Sequence, residues 1–189
     1  INRRSFLQNS AAVSAALAFS PYIFTQSARA ASSEDDLNVA LLGAGAQGQI
    51  LMNASKEIPG IKFKAVCDIW ESYNRRRAAK ILKAYGHEVK EYTDYQDMLA
   101  DQKDLDAVII ATPHFWHSPH TCACLEAGLN VYCEKEMSNT VEGDKKMLET
   151  QKKTGKLLQI GHQRRSNPRY QHCYNKLIKE ANLLQQMTT

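Results

Sequence analysis

The chain has 189 residues, enough for one domain of ordinary size or one domain with an appendage, which excludes a large multidomain assembly. With 43% hydrophobic and 23% charged residues it reads as a globular chain, not as collagen, low-complexity disorder or a multi-span membrane protein. Net charge is +4, but Arg3, Arg4 and Arg29 lie in an opening stretch of thirty residues without acid, so the remainder carries only +1 and gives no nucleic-acid footprint.

That opening stretch differs in composition from everything after it. A basic start at Arg3 and Arg4, a small-residue apolar run over 11–19, Pro21 and Ala28-Arg29-Ala30 together predict a signal peptide over 1–30. The apolar run is too short for the roughly 20 residues of a spanning helix, so no stable membrane span is expected. Residues 2–8, Asn-Arg-Arg-Ser-Phe-Leu-Gln, resemble the twin-arginine export signal. The resemblance implies the twin-arginine machinery as a partner, folding in the cytoplasm with a cofactor already in place, and a periplasmic or otherwise exported destination. Residues 31–36 read as a linker. The chain opens on Ile1 instead of Met, which is expected of a fragment.

From residue 37 onward short apolar runs alternate with longer amphipathic ones, the pattern of β-α-β units. Strands are predicted over 38–42, 62–67, 107–111, 130–133 and 157–160, with a weaker one over 89–92. Helices are predicted over 48–57, 71–85, 95–101, 119–127, 141–154 and 168–181. Asp94 sits at an N-cap, and Gly128 and Gly155 follow helix ends. The fold class is therefore α/β, a doubly wound parallel sheet of Rossmann-like type.

Directly after the first strand comes Gly43-Ala44-Gly45-Ala46-Gln47-Gly48, a G-x-G-x-x-G that opens a helix. In that context Gly43 permits a tight turn, Gly45 lets backbone approach a pyrophosphate, and Gly48 lets helix and strand pack closely. An anion is then bound by N–H groups at the helix N-terminus. Twenty residues past Gly48 the second strand ends at Asp68, placed to meet an adenosine ribose. An acid there favours NAD over NADP. Arg75, Arg76 and Arg77 are the residues that could instead meet a 2′-phosphate, against the simpler reading of a solvated helix face.

Three further loops leave the same sheet edge: Thr112-Pro113-His114 with His117, Glu134-Lys135-Glu136, and Gly161-His162-Gln163-Arg164-Arg165. His114, His117, His120, Cys122 and Cys124 crowd into eleven residues without a four-ligand zinc spacing, so no metal site is expected. The five cysteines contain no C-x-x-C pair, which argues against a zinc ribbon or a disulfide framework.

The glycine loop, the spaced Asp68, Thr-Pro with His117 four residues on, Ala127-Gly128 before a strand ending Glu134-Lys135, and Gly161-His162-Gln163 resemble the N-terminal domain of the Gfo/Idh/MocA oxidoreductases over 37–185. The resemblance implies a nicotinamide dinucleotide held by Gly43, Ala44, Gly45, Ala46, Gln47, Gly48, Asp68, Thr112, Pro113 and Glu134, with His114, His117, Lys135 and Gln163 completing the set. It implies Lys135 as the catalytic residue, contacting a substrate hydroxyl. A lysine can take or return that proton when burial or a cationic neighbour weakens its hold on its own. The rival reading is a surface lysine paired with Glu134 or Glu136. Glu136 stands where the family has proline, which is expected to loosen the turn holding Lys135, and Gln163 and His114 stand where many relatives have Asn.

Relatives carry a second α/β domain that forms the substrate pocket and the subunit interface; here residues 186–189 read as its truncated start. The expected function is thus the nucleotide-binding part of an exported NAD(H)-dependent oxidoreductase acting on a sugar or cyclitol hydroxyl, a homo-oligomer at full length and inactive as this piece alone. Alternatives are a redox-neutral NAD-dependent glycosidase of the same superfamily and a non-catalytic dinucleotide-binding module.

Overall fold

A computed structural model describes residues 36–183, so the signal peptide expected over 1–30, most of the linker expected over 31–36 and the 186–189 segment lie outside the described residues. Six strands form one parallel sheet in the order β3-β2-β1-β4-β5-β6. They are β1 Leu37–Leu42, β2 Ile61–Cys67, β3 Lys90–Tyr92, β4 Ala107–Ile110, β5 Asn130–Glu134 and β6 Leu158–Gly161. The strand order reverses between β1 and β4, and open α/β sheets bind ligands in the crevice at such a reversal, outside the carboxyl ends of the strands.

Both faces of the sheet are covered, which is why its strands read as continuous apolar runs. Alternation along β1 sends Val39 and Leu41 to one face and Ala40 and Leu42 to the other. On the first face Phe63 and Val66 of β2 pack with Met52 of α1 (Ala46–Ser55) and Leu82 of α2 (Arg77–Ala84). On the second, Val108, Ile110 and Val131 pack with Met98 of α3 (Tyr95–Asp101), Leu125 of α4 (His114–Glu126) and Met147 of α5 (Val141–Thr154). Each fully buried side chain of this size stabilises the fold by about 1.5–3 kcal/mol relative to exposure.

The six strands lie within a residue or so of the expected ones, whereas several helices differ. α4 starts at His114, five residues before the expected start at Pro119, and runs through that proline. Pro113, with φ −59° and ψ 146°, serves as its N-cap. A proline inside a helix costs about 3 kcal/mol, but α4 buries seven residues, from His117 to Leu125, and that burial outweighs it. The helix expected over 71–85 opens as a π-helical turn, Glu71–Arg76, and only then becomes α2. The helix expected over 168–181 is α7 (Pro168–Cys173) followed by a π-helical stretch, Tyr174–Glu180, and a short α6 (Gln163–Ser166) precedes it.

The expected caps are present. Asp94 accepts from the Gln96 N–H at 2.7 Å, and Gly155 ends α5 in the left-handed region at φ +68°. Thr140 caps α5 by accepting from the Gly143 N–H at 3.1 Å. Thr140→Ala should therefore cost about 1 kcal/mol of stability in denaturant unfolding while leaving dinucleotide affinity unchanged, because α5 starts away from the crevice residues.

Candidate functional site: a cleft at the carboxyl edge of the sheet

The glycine loop bridges β1 and α1, and each glycine meets a different constraint. Gly43 has φ +90°, and a Cβ there would lie 2.7 Å from the backbone of Ala111 and Thr112. A Cβ on Gly48 would collide with the Gly43 carbonyl. Gly45 is the opposite case: its nearest neighbour would be Asn74 Nδ2 at 3.9 Å, so the protein itself does not require a glycine there. No side chain caps α1 and no acid occupies its first turn, which leaves its N-terminus electropositive.

Asp68, at the end of β2, reaches back to this loop. Its Oδ2 accepts from the Ala44 N–H at 2.7 Å and its Oδ1 from the Trp70 N–H at 2.7 Å. Asn74 Nδ2 adds contacts at 3.1 and 3.2 Å. Arg75 does not line the cleft: its guanidinium donates to Thr93 Oγ1 at 2.7 Å and the Asp68 carbonyl at 3.0 Å, with Glu71 and Glu91 within 4 Å. Arg76 pairs with Glu71 at 2.6 Å, and Arg77 is exposed. Arg76 and Arg77 thus lie on an exposed helix face, while Arg75 is largely covered and held by its partners.

On the other side of the loop lies Glu134, 4% exposed. Its Oε1 accepts from Gln47 Nε2 at 2.8 Å and also from Gln163 Nε2, while its Oε2 accepts from the Lys135 N–H at 2.9 Å. Gln163 donates as well to the Tyr132 hydroxyl at 2.9 Å. Residues from α1, β5 and the loop after β6 are therefore joined at one carboxylate. With Glu134 engaged in this way, Lys135 forms no ion pair among the described residues, and it is exposed.

His117 is 1% exposed, with Nε2 2.7 Å from the Thr112 carbonyl and Nδ1 2.5 Å from the Glu136 carbonyl. Its ring is spent on backbone and does not line the cleft. In the loop where Glu136 stands in place of proline, the Glu136 carbonyl is held by His117. His114 is exposed in the first turn of α4.

On the Asp68 side of the glycine loop lies a cleft of about 670 Å³ bounded by Gly43, Gly45, Asp68, Thr112 and Pro113; Gln47, Glu134, Lys135 and Gln163 do not line it. It also exposes residues that sequence reasoning did not single out as binding groups: Ile69, Trp70, Asn74, Thr93, Tyr95, Trp116 and His120. Trp116 and His120 stack at 5.0 Å, and Tyr95 meets His120 edge-on at 4.6 Å. Their legible signal was position, since they follow β2, β3 and β4 at the edge where ligands bind. Burial holds His120 down to about 4, so it is neutral at physiological pH and accepts or donates to Thr112 Oγ1 at 3.1 Å. Cys67 opens onto the cleft, but burial pushes its thiol up to about 12, which removes it as a nucleophile at neutral pH. Among the described residues no three His, Cys, Asp or Glu side chains converge on a metal position, and no helix is long and apolar enough to cross a membrane.

A G-x-G-x-x-G at a strand-order reversal, an acid at the end of the next strand and an open cradle at Gly45 fit a dinucleotide. Residues 37–162 match the GFO_IDH_MocA model, described as "Oxidoreductase family, NAD-binding Rossmann fold". The chain belongs to this oxidoreductase family. It is 31% identical over 151 residues to 4-carboxy-2-hydroxymuconate-6-semialdehyde dehydrogenase from Sphingobium, covering 80% of this chain and 46% of the relative. It is 33% identical over 141 residues to inositol 2-dehydrogenase from Salmonella paratyphi B, covering 74% and 40%. The crystal structure of myo-inositol 2-dehydrogenase from Lactobacillus plantarum superposes with a TM-score of 0.66 at 27% identity, over 80% of this chain and 43% of that one. The chain thus spans less than half the length of these relatives. NAD is the cofactor of this domain.

Two outcomes follow from the geometry. Gly45→Val should fold with little loss of stability yet lose NADH binding, read by fluorescence titration, whereas Gly48→Val should lose the fold itself, read by circular dichroism. His120 binds a proton more readily unfolded than folded, so its contribution is full above about pH 6.5 and is lost as pH falls toward 4. Thermal melts between pH 7 and 5 should show Tm falling with pH, and less steeply in His120→Gln.

Proposed function

We propose that this chain is the nucleotide-binding part of an exported NAD(H)-dependent oxidoreductase that acts on a sugar or cyclitol hydroxyl. The observation that carries the reading is the Glu134 junction, which ties the glycine loop to the strand end bearing Lys135. The phosphate-binding loop and the backbone of the amine-bearing residue are thereby tied together at the carboxyl edge of the sheet.

In this reading the N-terminus of α1 holds the pyrophosphate, Asp68 faces the adenosine ribose, and Gln47, Glu134 and Gln163 flank the nicotinamide side. The bound dinucleotide supplies the hydride acceptor or donor. Lys135 Nζ takes the proton of the substrate hydroxyl as the carbon beneath it loses hydride and becomes a carbonyl; in reduction the same nitrogen returns the proton. The inositol dehydrogenases among the relatives support a polyol or sugar hydroxyl as substrate. A second domain in the complete protein would orient that substrate and form the subunit interface.

Export rests on residues 2–8. Changing Arg3 and Arg4 to Lys preserves charge but not the guanidinium pair; export should fail, and unaffected export would contradict a twin-arginine route.

Asp68 adds negative charge where a 2′-phosphate would sit, and Arg75 is already engaged by four groups. NAD(H) should therefore bind more tightly than NADP(H), with equal or reversed affinities contradicting the role of Asp68. In the complete protein Lys135→Met should lower turnover by about 10² to 10⁴ while dinucleotide affinity stays nearly unchanged. Unchanged turnover would leave Lys135 as a surface residue.

A further inference from the structure

His87 and His117 are both buried and both use two ring nitrogens, but their partners differ in kind. His87 Nδ1 accepts from the Phe63 N–H at 3.2 Å, and its Nε2 lies 2.8 Å from the Lys56 carbonyl. One acceptor and one donor satisfy a neutral ring with its proton on Nε2. At His117 both partners are carbonyl oxygens, Thr112 at 2.7 Å and Glu136 at 2.5 Å, and a carbonyl can only accept. A neutral ring would turn a lone pair toward one of these oxygens in a site that is 1% exposed.

We infer that His117 is an imidazolium whose two N–H groups strap the Thr112-Pro113 turn to the Lys135-Glu136 loop, which makes it a positioning residue for Lys135. The positioning role rests on the oxidoreductase reading above; the protonation of the ring does not.

Burial of the ring and its place in the second turn of α4 both oppose a cation. Two hydrogen bonds from a charged donor, and the unpaired carbonyl that a neutral ring would leave, act in the other direction. The titratable groups around the ring are compatible with one cation. His114, on the same helix, has its ring centre 6.0 Å away and is exposed. His120, one turn on, is held neutral by its own burial. From the facing loop come the exposed Lys135 and Glu136 and, beside them, Glu134, whose carboxylate is occupied by Gln47, Gln163 and the Lys135 N–H. The strap also accounts for the burial of a histidine that the family pattern would place among cofactor contacts: it acts on both loops from behind the cleft, through backbone carbonyls 5 and 19 residues away in sequence.

Neither test needs a substrate. In nitrogen-15-histidine spectra of the full-length protein at pH 7, one buried imidazole near Thr112 and Glu136 should show two slowly exchanging ring N–H protons, and His87 only one. A single ring N–H at His117 would overturn the inference. Carbon-13 methylation of the lysines gives the second readout, with Lys135 identified by its loss in Lys135→Arg. The Lys135 signal should move in His117→Gln while that of Lys176, paired with Glu180, stays fixed. An unmoved Lys135 signal in a folded His117→Gln protein would reject the positioning role. Should that variant not fold, the ring N–H count in the unsubstituted protein still decides the protonation, and the Lys135 signal is then read in His117→Asn. Failure of the oxidoreductase reading would appear separately, as absent turnover with both spectral results intact.

Discussion

A carboxylate on each side grips the glycine loop. Asp68 takes the Ala44 N–H at 2.7 Å from the β2 side, and Glu134 takes the Gln47 amide at 2.8 Å from the β5 side. Buried or half-buried carboxylates carry a desolvation cost that hydrogen bonds must offset, and here the bonds that do so come from the loop that a dinucleotide requires. The loop is thus fixed before any ligand arrives, so binding does not have to supply the free energy of ordering it.

Topology explains why the two grips can exist. The strand order reverses between β1 and β4, so the turn after β1 has β2 on one hand and β4 with β5 beyond it on the other. Gly43 closes the gap to β4, where any Cβ would meet the Ala111-Thr112 backbone, and Gly48 brings α1 onto the same turn. Only Gly45 is left with space around it, which is the space a phosphate needs.

What could be read in advance was whatever depends on residue type at a fixed spacing. Gly43, Gly45 and Gly48 report a backbone requirement that few other residues meet, and Asp68 and Glu134 end predicted strands. Apolar runs located the six strands, because a sheet covered on both faces has no polar side to blur the pattern. The helix starts were less legible. Pro119 reads as a first residue, yet the helix opens at His114 with Pro113 as its N-cap, and the burial from His117 to Leu125 carries it through. The role of His117 was hidden for a different reason: its partners are main-chain carbonyls, which leave no trace in side-chain identity. The aromatic wall of Tyr95, Trp116 and His120 was hidden because three separate segments build it. Arg75 looked available to a phosphate until Thr93, Glu71 and Glu91 were seen around it.

A double-mutant cycle on Asp68→Asn and Glu134→Gln, read as NAD affinity by calorimetry, tests the two-sided grip most directly. Two carboxylates that act on separate parts of a ligand give additive losses, within about 0.3–0.5 kcal/mol. Carboxylates that hold one loop from opposite sides give coupled losses, since once either grip is released the loop is already disordered. The account predicts a double variant that loses less than the sum of the singles, by about 0.5 kcal/mol or more. Additive losses, or singles that bind NAD as tightly as the unsubstituted protein, would contradict it.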